Sequence, residues 1–456
     1  VVTPNGYKAG ELYAVIPSNG DADMDVTRAT AATRVDEDGL VNYAEIIGSE
    51  EVTNGDFTQL PLGTGWDAYT SGSSTVAFTE GAILSIDGSN SNVGVYQQNI
   101  FTSGVQYKIV VSVKATASFD ALVSETDAAS SKGTIGTLNL TTSYQDFSFY
   151  YTGTGTWDLF IHRKYGETAG QNQQIYIKDV SVKEVTRDNV PRIDYTGGGC
   201  PHILAEPQRT NIVFPSDVAV TQTRTVTAVE YALSFYGTGS IVLSGTHSAT
   251  LTGTGVNDRV DLIFTPTAGS LVLTVSGTVT NFQLEVGSYA TSLIPTVSGT
   301  VTRNQDIFTR DGIGSLINST EGVLFLEMAA LSDDLTYREI SLSDGTNTNR
   351  VEIRYGTSSN SIQAIIRNSG GNVVLNHNTA TIVNFNKIAF KYKSEDFALW
   401  INGVEVATNI TSFITSGLNR FAFDQGTIAN EFFGKVKQLQ VFKTALTDTQ
   451  LAALTS

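Results

Sequence analysis

The sequence predicts an all-β protein built of tandem β-sandwich (jelly-roll) domains joined by Pro/Gly-rich connectors. Three observations lead there. Short runs rich in β-branched and aromatic residues alternate in polarity, as in QYKIVVSV at 106–113 and QDFSFYY at 145–151, which is the period-two signature of a half-buried strand. Gly, Ser and Thr punctuate these runs while charged residues make up only 16% of the 456, too few for a coiled coil or helical bundle. A similar closing strand also recurs: IYIKDVSVKE at 175–184, VTNFQLEV at 279–286 and VKQLQVF at 436–442. Each follows a β-rich stretch on the order of a hundred residues, the size of a two-sheet sandwich.

These strands set the expected organisation. Residues 1–49 read as a polar N-terminal docking arm, 50–185 as a first sandwich, and 186–211 as a connector. A second, smaller sandwich follows at 212–297, then a linker at 298–311 and a third sandwich at 312–456. VTRNQDIF at 301–308 echoes VTRATAAT at 26–33, which suggests similar docking roles for the two passages. The sharpest local signal is FALWINGVEV at 397–406, where Asn-Gly supplies the positive φ angles of a tight hairpin. Helix signals are scarce. The best is TALTDTQLAAL at 444–454, with Thr447 as the cap and Leu451 and Leu454 on the buried face.

The 45 acidic and 28 basic side chains leave a formal charge of −17. Such a chain lacks the basic face that neutralises phosphates, so nucleic acid is not an expected partner. One cysteine cannot form an internal disulfide. No apolar run approaches the roughly 20 residues that span a bilayer, so no membrane insertion is expected. The sequence starts at Val1 rather than Met, and the lack of a signal-peptide pattern leaves export open.

Residues 189–211, NVPRIDYTGGGCPHILAEPQRTN, hold the lone Cys200 and the glycines 197–199. No G-x-G-x-x-G spacing is present, and Pro201 forbids an immediate helix, so a phosphate-cradling loop is not supported. Cys200 and His202 share one face of an extended segment, the minimum for a thiolate and its base. A stiff connector is the plainer reading. Elsewhere the four histidines (162, 202, 247 and 377) fall in no catalytic motif, and Asp333-Asp334 and Glu395-Asp396 are adjacent pairs that diverge on a strand or sit in turns. A non-enzymatic protein is expected. Aromatic rings can stack on the apolar faces of sugars, and Trp66, Tyr69, Tyr96 and Trp157 are the candidates in the first sandwich, with Gln97, Gln98 and Asn99 as polar neighbours. Trp400 is out of phase with Phe397, Leu399 and Ile401, which puts it on the opposite sheet face as an interface contact, a ligand contact or cover for a loop.

RATAATRVDEDGL at 28–40, NVPRIDY at 189–195, CPHILAEPQRTN at 200–211 and EVGSYATSLIPTVSGTVTRNQDIF at 285–308 resemble a module of bacteriophage tail-fibre and other virion appendage proteins. In that family the first three phrases follow one another closely. Here residues 41–188 intervene, so the first sandwich reads as an insertion. VTNGDF at 52–57 with Gly65-Trp66 resembles the start of a carbohydrate-binding-module jelly roll, and 318–456 resembles a concanavalin A-like (laminin-G-type) sandwich whose catalytic E-x-D-x-x-E pattern is missing. The resemblance implies a tail fibre, head fibre or similar appendage on the virion surface, a homo-oligomer (a trimer), and other virion proteins and a host surface glycan as partners. Jelly rolls of this kind often hold a structural Ca²⁺, for which Asn54, Asp56 and Asp179 are the candidate ligands. Asp344 and Asp424, beside turn glycines, remain uncommitted. Two alternatives stay open: a purely structural virion decoration or adaptor, and a secreted bacterial polysaccharide-active enzyme or adhesin.

Overall fold

The structure, a computed structural model, describes residues 2–4, 6–13, 23–88, 91–127, 131–379 and 381–456. The chain is all-β and divides into two units: Glu45–Thr186, and Val1–Ala44 together with Arg187–Ser456. The first sandwich therefore interrupts the second unit in sequence.

In Glu45–Thr186 alternation builds a two-sheet sandwich. Along Gln106–Ala115 every second side chain, from Tyr107 to Ala115, is buried. A five-stranded sheet runs in the order Ser131–Leu140, Phe119–Thr126, Trp157–Arg163, Val93–Phe101, Asp67–Thr70. The facing six-stranded sheet is built around Gln106–Ala115 and Gln174–Thr186. Val95, Val123, Leu159 and Ile161 of the first meet Leu84, Ile109, Ile177 and Val182 of the second in one core.

The other unit contains two further sandwiches. Gln222–Val226 through Val279–Val286 form sheets of four and three strands around Leu233, Phe235, Leu271 and Phe282. The C-terminal sandwich has sheets of nine and seven strands. Its Phe397–Ile401 and Val404–Asn409 strands turn at Asn402 (φ 50°) and Gly403 (φ 84°), as the Asn-Gly pair predicts. The helix Asp448–Thr455 forms with Thr447 as N-cap in a reciprocal capping box with Gln450, and it buries Leu451.

Segments read from sequence as arm and connector are parts of this sandwich. Met24–Thr27 pairs with Ile307–Arg310 inside the nine-stranded sheet, and Gly6–Lys8 and Glu11–Tyr13 extend that sheet's edge. Ile193–Asp194 and His202–Ala205 extend the seven-stranded sheet beyond Gly434–Phe442. The two linkers pair with each other, Arg209–Asn211 against Val301–Arg303.

The physical reason lies in buried charge. Asp306 accepts from Arg28 Nη1 at 2.6 Å, from the Glu206 amide at 2.9 Å, and from Arg192. Glu206 pairs with Arg192 and, at 2.8 Å, with Arg303. Ser292 Oγ donates to Glu206 at 2.6 Å, and Arg28 and Arg303 also donate to the carbonyls of Val190 and Pro207. All five charged side chains are almost wholly out of water. Burial alone would raise the Asp306 carboxyl, but Arg192 and Arg28 outweigh it and hold it below the usual carboxylate range. Thus the four phrases singled out in the sequence meet at one network.

Two predictions follow from these contacts. Asp306→Asn leaves Arg28 and Arg192 buried without their shared counter-charge, and the expected loss is about 3–5 kcal/mol of unfolding free energy, read by urea denaturation. The second concerns His202, 2% exposed, which burial pushes down to about 4 against the favourable charge of Asp194 at 3.3 Å. Between the ordinary value of 6.5 and about 4 the unfolded chain binds a proton that the folded chain refuses. Stability is therefore expected to fall as pH drops through that window, and His202→Phe should flatten the dependence.

Candidate functional site

The strand Trp157–Arg163, WDLFIHR, sends Leu159 and Ile161 into the core and Phe160 and His162 to the outer face of the five-stranded sheet. Tyr96 lies directly opposite Phe160 on the neighbouring strand, and Tyr69 lies one strand further, opposite Gly94. The rings converge. Phe160 stacks on His162 with centroids 4.2 Å apart at 13°, and it meets Tyr69 at 5.7 Å and Tyr96 at 6.4 Å edge-to-face. Such offset and T-shaped pairs suit the quadrupoles of the rings.

Gly94 makes the arrangement possible. A Cβ there would stand 2.6 Å from Phe160 Cε2, His162 Cβ and the Ile161 carbonyl oxygen. The missing side chain opens a slot across which Phe160 lies. His162 is anchored from below: Nδ1 donates to the Arg163 carbonyl at 2.8 Å, which leaves Nε2 to accept from Ser124 Oγ at 3.0 Å. Burial pushes the His162 pKa down, so the ring stays neutral at pH 7 and supplies an uncharged stacking partner. Burial also raises Tyr96, with Asp67 and Asp158 adding to the shift. Tyr69 is 37% exposed, while Tyr96, Phe160 and His162 are half-buried. At the rim Gln98 Nε2 donates to Asp67 Oδ2 at 3.0 Å, and the Asn99 amide donates to Asp158 at 2.9 Å.

Of the residues the sequence nominates as sugar contacts, Tyr69 and Tyr96 come together on this face and the others do not join them. Trp66 is in the core, stacked on Phe57 at 5.2 Å, with Nε1 donating to the Asn54 carbonyl at 3.0 Å. Gln97 is buried and binds the Thr53 amide and carbonyl at 2.7 and 2.9 Å. Trp157 packs against the core from the inner face, with Lys132 Nζ 4.9 Å from its ring centre. In the other unit Trp400 does leave the main core, but it is 8% exposed and packs with Phe325, Ala389 and Leu451. The C-terminal helix covers it, so it presents no open ring. Phe160 and His162 were missed, although an aromatic residue on the alternate face of WDLFIHR was a readable signal.

Asn54, Asp56 and Asp179 line one shallow depression of about 390 Å³ with Glu50, Ser181 and Lys183. Asn54 Oδ1 already accepts from the Gln59 amide at 2.8 Å, and Asp56 caps Thr58 at 3.2 Å. With that oxygen engaged and Lys183 in the lining, the set is a poor match to the six to eight oxygens that Ca²⁺ prefers. Among the described residues no group of three or more His, Cys, Asp or Glu is placed to hold a metal.

Carboxylates do converge elsewhere, unannounced by the sequence. Glu339 and Glu352 sit on paired strands of the nine-stranded sheet, and both are fully buried. Burial and the neighbouring Glu339 push Glu352 up to about 7, while Arg354 contacts Glu339 at 2.9 Å and Glu352 at 3.6 Å. Both are held by ion pairs with Arg350 and Arg354. Asp333 instead binds Ser359 and the Asn360 amide, Asp334 binds Arg338 at 2.8 Å, and Asp344 and Asp424 cap turns at Thr346 and Gly426.

No family model matches the chain, and no curated protein does. Solved structures match it over part of its length. One is described as "CBM4 structure and function", with 20% identity over 26% of this chain and 95% of that one, TM-score 0.22. The N-terminal cellulose-binding domain from Cellulomonas fimi β-1,4-glucanase C has 20% identity over 29% of this chain and 95% of its own, TM-score 0.24. A mutant family 29 carbohydrate-binding module complexed with cellulohexaose has 17% identity over 31% and 91%, TM-score 0.23.

Gly94→Ala tests the slot. The added methyl is expected to cost about 1–3 kcal/mol of stability through overpacking and to displace Phe160 from His162, visible as shifted His162 ring resonances in NMR spectra.

Proposed function

We propose that the chain is a non-enzymatic glycan-binding protein and that its ligand lies across Tyr69, Phe160 and Tyr96. The observation that carries this reading is the ring cluster itself: three aromatic side chains and a neutral histidine held on the solvent-facing side of a sheet, where a soluble sandwich would otherwise place polar residues. Sugar C–H faces can lie on the rings while Gln98, Asp67 and the Tyr69 hydroxyl take the sugar hydroxyls. A cluster of rings spread over three neighbouring strands suits a chain segment of a polysaccharide better than a small enclosed solute.

The finer reading is that this protein is an exposed appendage of a bacteriophage particle, a tail or head fibre that meets host surface glycans and other virion proteins. It is supported by the four resembling phrases and by their meeting at the network of Arg28, Arg192, Glu206, Arg303 and Asp306. A net charge of −17 favours solubility on a particle surface.

Immobilised bacterial surface polysaccharides and β-glucans, scored for retention and for chain cleavage, test the reading. Retention without cleavage is expected. Phe160→Ala should weaken it about tenfold, the equivalent of one or two lost aromatic stacks, and Tyr69→Ala should weaken it while costing about 1 kcal/mol of stability for the lost edge-to-face contact. Trp400→Ala should leave retention unaltered. Retention that survives Phe160→Ala would remove the platform from the mechanism, and released oligosaccharide would overturn the non-enzymatic reading.

A further inference from the structure

A second cavity lies in the other unit, far from these aromatic residues in sequence. The hairpin of Thr33–Val35 and Val41–Tyr43, the Ile193–Asp194 strand, Tyr236 and Arg259 of the middle sandwich, and Lys435 enclose a chamber of about 260 Å³. It opens into an outer bowl of about 940 Å³ and shares Val35, Val41, Thr196, Tyr236 and Arg259 with it. The glycines 197–199 form part of the bowl's wall, with φ of 88°, 73° and 77°, a left-handed run that only glycine sustains without strain.

The charges of the chamber are unequal in their engagement. Its two carboxylates are fully committed: Asp194 accepts from the amides of Val35 and Thr196 at 2.9 and 2.8 Å, and Glu206 belongs to the buried arginine network. Its cations are not. Arg34 makes one hydrogen bond, to the Ile193 carbonyl at 3.0 Å, and Arg259 makes one, to Ser234 Oγ at 2.8 Å. Among the described residues no carboxylate lies within ion-pairing distance of Arg34, Arg259 or Lys435. Each guanidinium carries five N–H donors, so most of these point to no protein acceptor. Arg34 acts on the nearby Asp36 carboxyl, helping, against burial, to hold it down, but it closes no direct ion pair, and most of the donors of Arg34 and Arg259 remain for a ligand.

We propose that this chamber binds the carboxylate of an acidic sugar residue, with Arg34, Arg259 and Lys435 as its counter-charges and Tyr236 against the ring. The volume selects a small unit, being below the roughly 300–1,000 Å³ typical of drug-sized ligands, and the outer bowl accommodates the neighbouring residue of a chain. The rim selects against polyanions. Asp36, Glu37 and Asp38 line the bowl, so a densely sulfated chain laid along it meets several like charges where a single carboxylate brings only one. The site stands independently of the aromatic platform and would bind whether or not the platform does.

Titration calorimetry of the full chain with sodium D-glucuronate, D-glucose and sodium sulfate tests the assignment. Glucuronate is expected to bind and glucose to bind at least about tenfold more weakly, the weight of one or two charge-assisted hydrogen bonds. Arg259→Met and Arg34→Met should each weaken glucuronate about tenfold, whereas Phe160→Ala should leave it unchanged. Glu37→Gln with Asp38→Asn changes only exposed rim residues and is expected to strengthen both glucuronate and sulfate. Absence of glucuronate binding, equal binding of glucose, loss of binding in Phe160→Ala, or no response to the rim variant would each overturn the proposal. The rim variant keeps the test decisive even where an arginine variant fails to fold.

Discussion

Outside the Glu45–Thr186 sandwich, the N-terminal segment and the two linkers are tied together by a knot of five buried charges. Arg28, Arg192 and Arg303 share Glu206 and Asp306 in a space that water does not enter. Each ion has lost its hydration, and only the mutual attraction and the surrounding carbonyls compensate. Deleting one member strands the others. This is why residues 186–211 and 298–311 are not free linkers despite their Pro, Gly and Thr content: each supplies charges that the other must neutralise, and their short strands pair beside the network. The chain accordingly returns to the same point from positions as far apart as Arg28 and Asp306, separated by 278 residues.

The same economy of burial explains the aromatic platform. A sheet whose inner face is closed by Val95, Val123, Leu159 and Ile161 would ordinarily carry polar residues outside. Here Tyr69, Tyr96, Phe160 and His162 occupy that outer face, and only the absence of a side chain at Gly94 lets them interlock. Rings held this way lose little further freedom when a ligand arrives, which favours binding by preorganisation. The histidine adds stacking area without charge because Ser124 and the Arg163 carbonyl satisfy both of its nitrogens.

The two proposed sites differ in kind. The platform is aromatic and spread over three neighbouring strands, suited to the apolar faces of an extended chain. The chamber beside Arg34 and Arg259 is enclosed and cationic, suited to a single charged group. The buried glutamates Glu339 and Glu352 are held by Arg350 and Arg354 inside the C-terminal sandwich.

Local periodicity and turn chemistry were enough to read much of the fold. The alternation of QYKIVVSV, the Asn402-Gly403 turn and the Thr447 cap act between residues a few positions apart, so the sequence by itself determined the all-β class, that hairpin and the C-terminal helix. It also determined that Trp400 lies on the face opposite Phe397, Leu399 and Ile401. Only the tertiary structure decided what the rings meet: Trp400 meets the C-terminal helix and Tyr69 meets Phe160, and neither partner is near in sequence. Trp66 and Gln97 looked equally available, yet the core and the Thr53 backbone engage them. The arm and connector were illegible for the same reason. Their strands are short, and pairing across hundreds of residues, a shared set of buried charges and a few side chains such as Met24, Val26, Ile193 and Ile203 in the main core hold them in place.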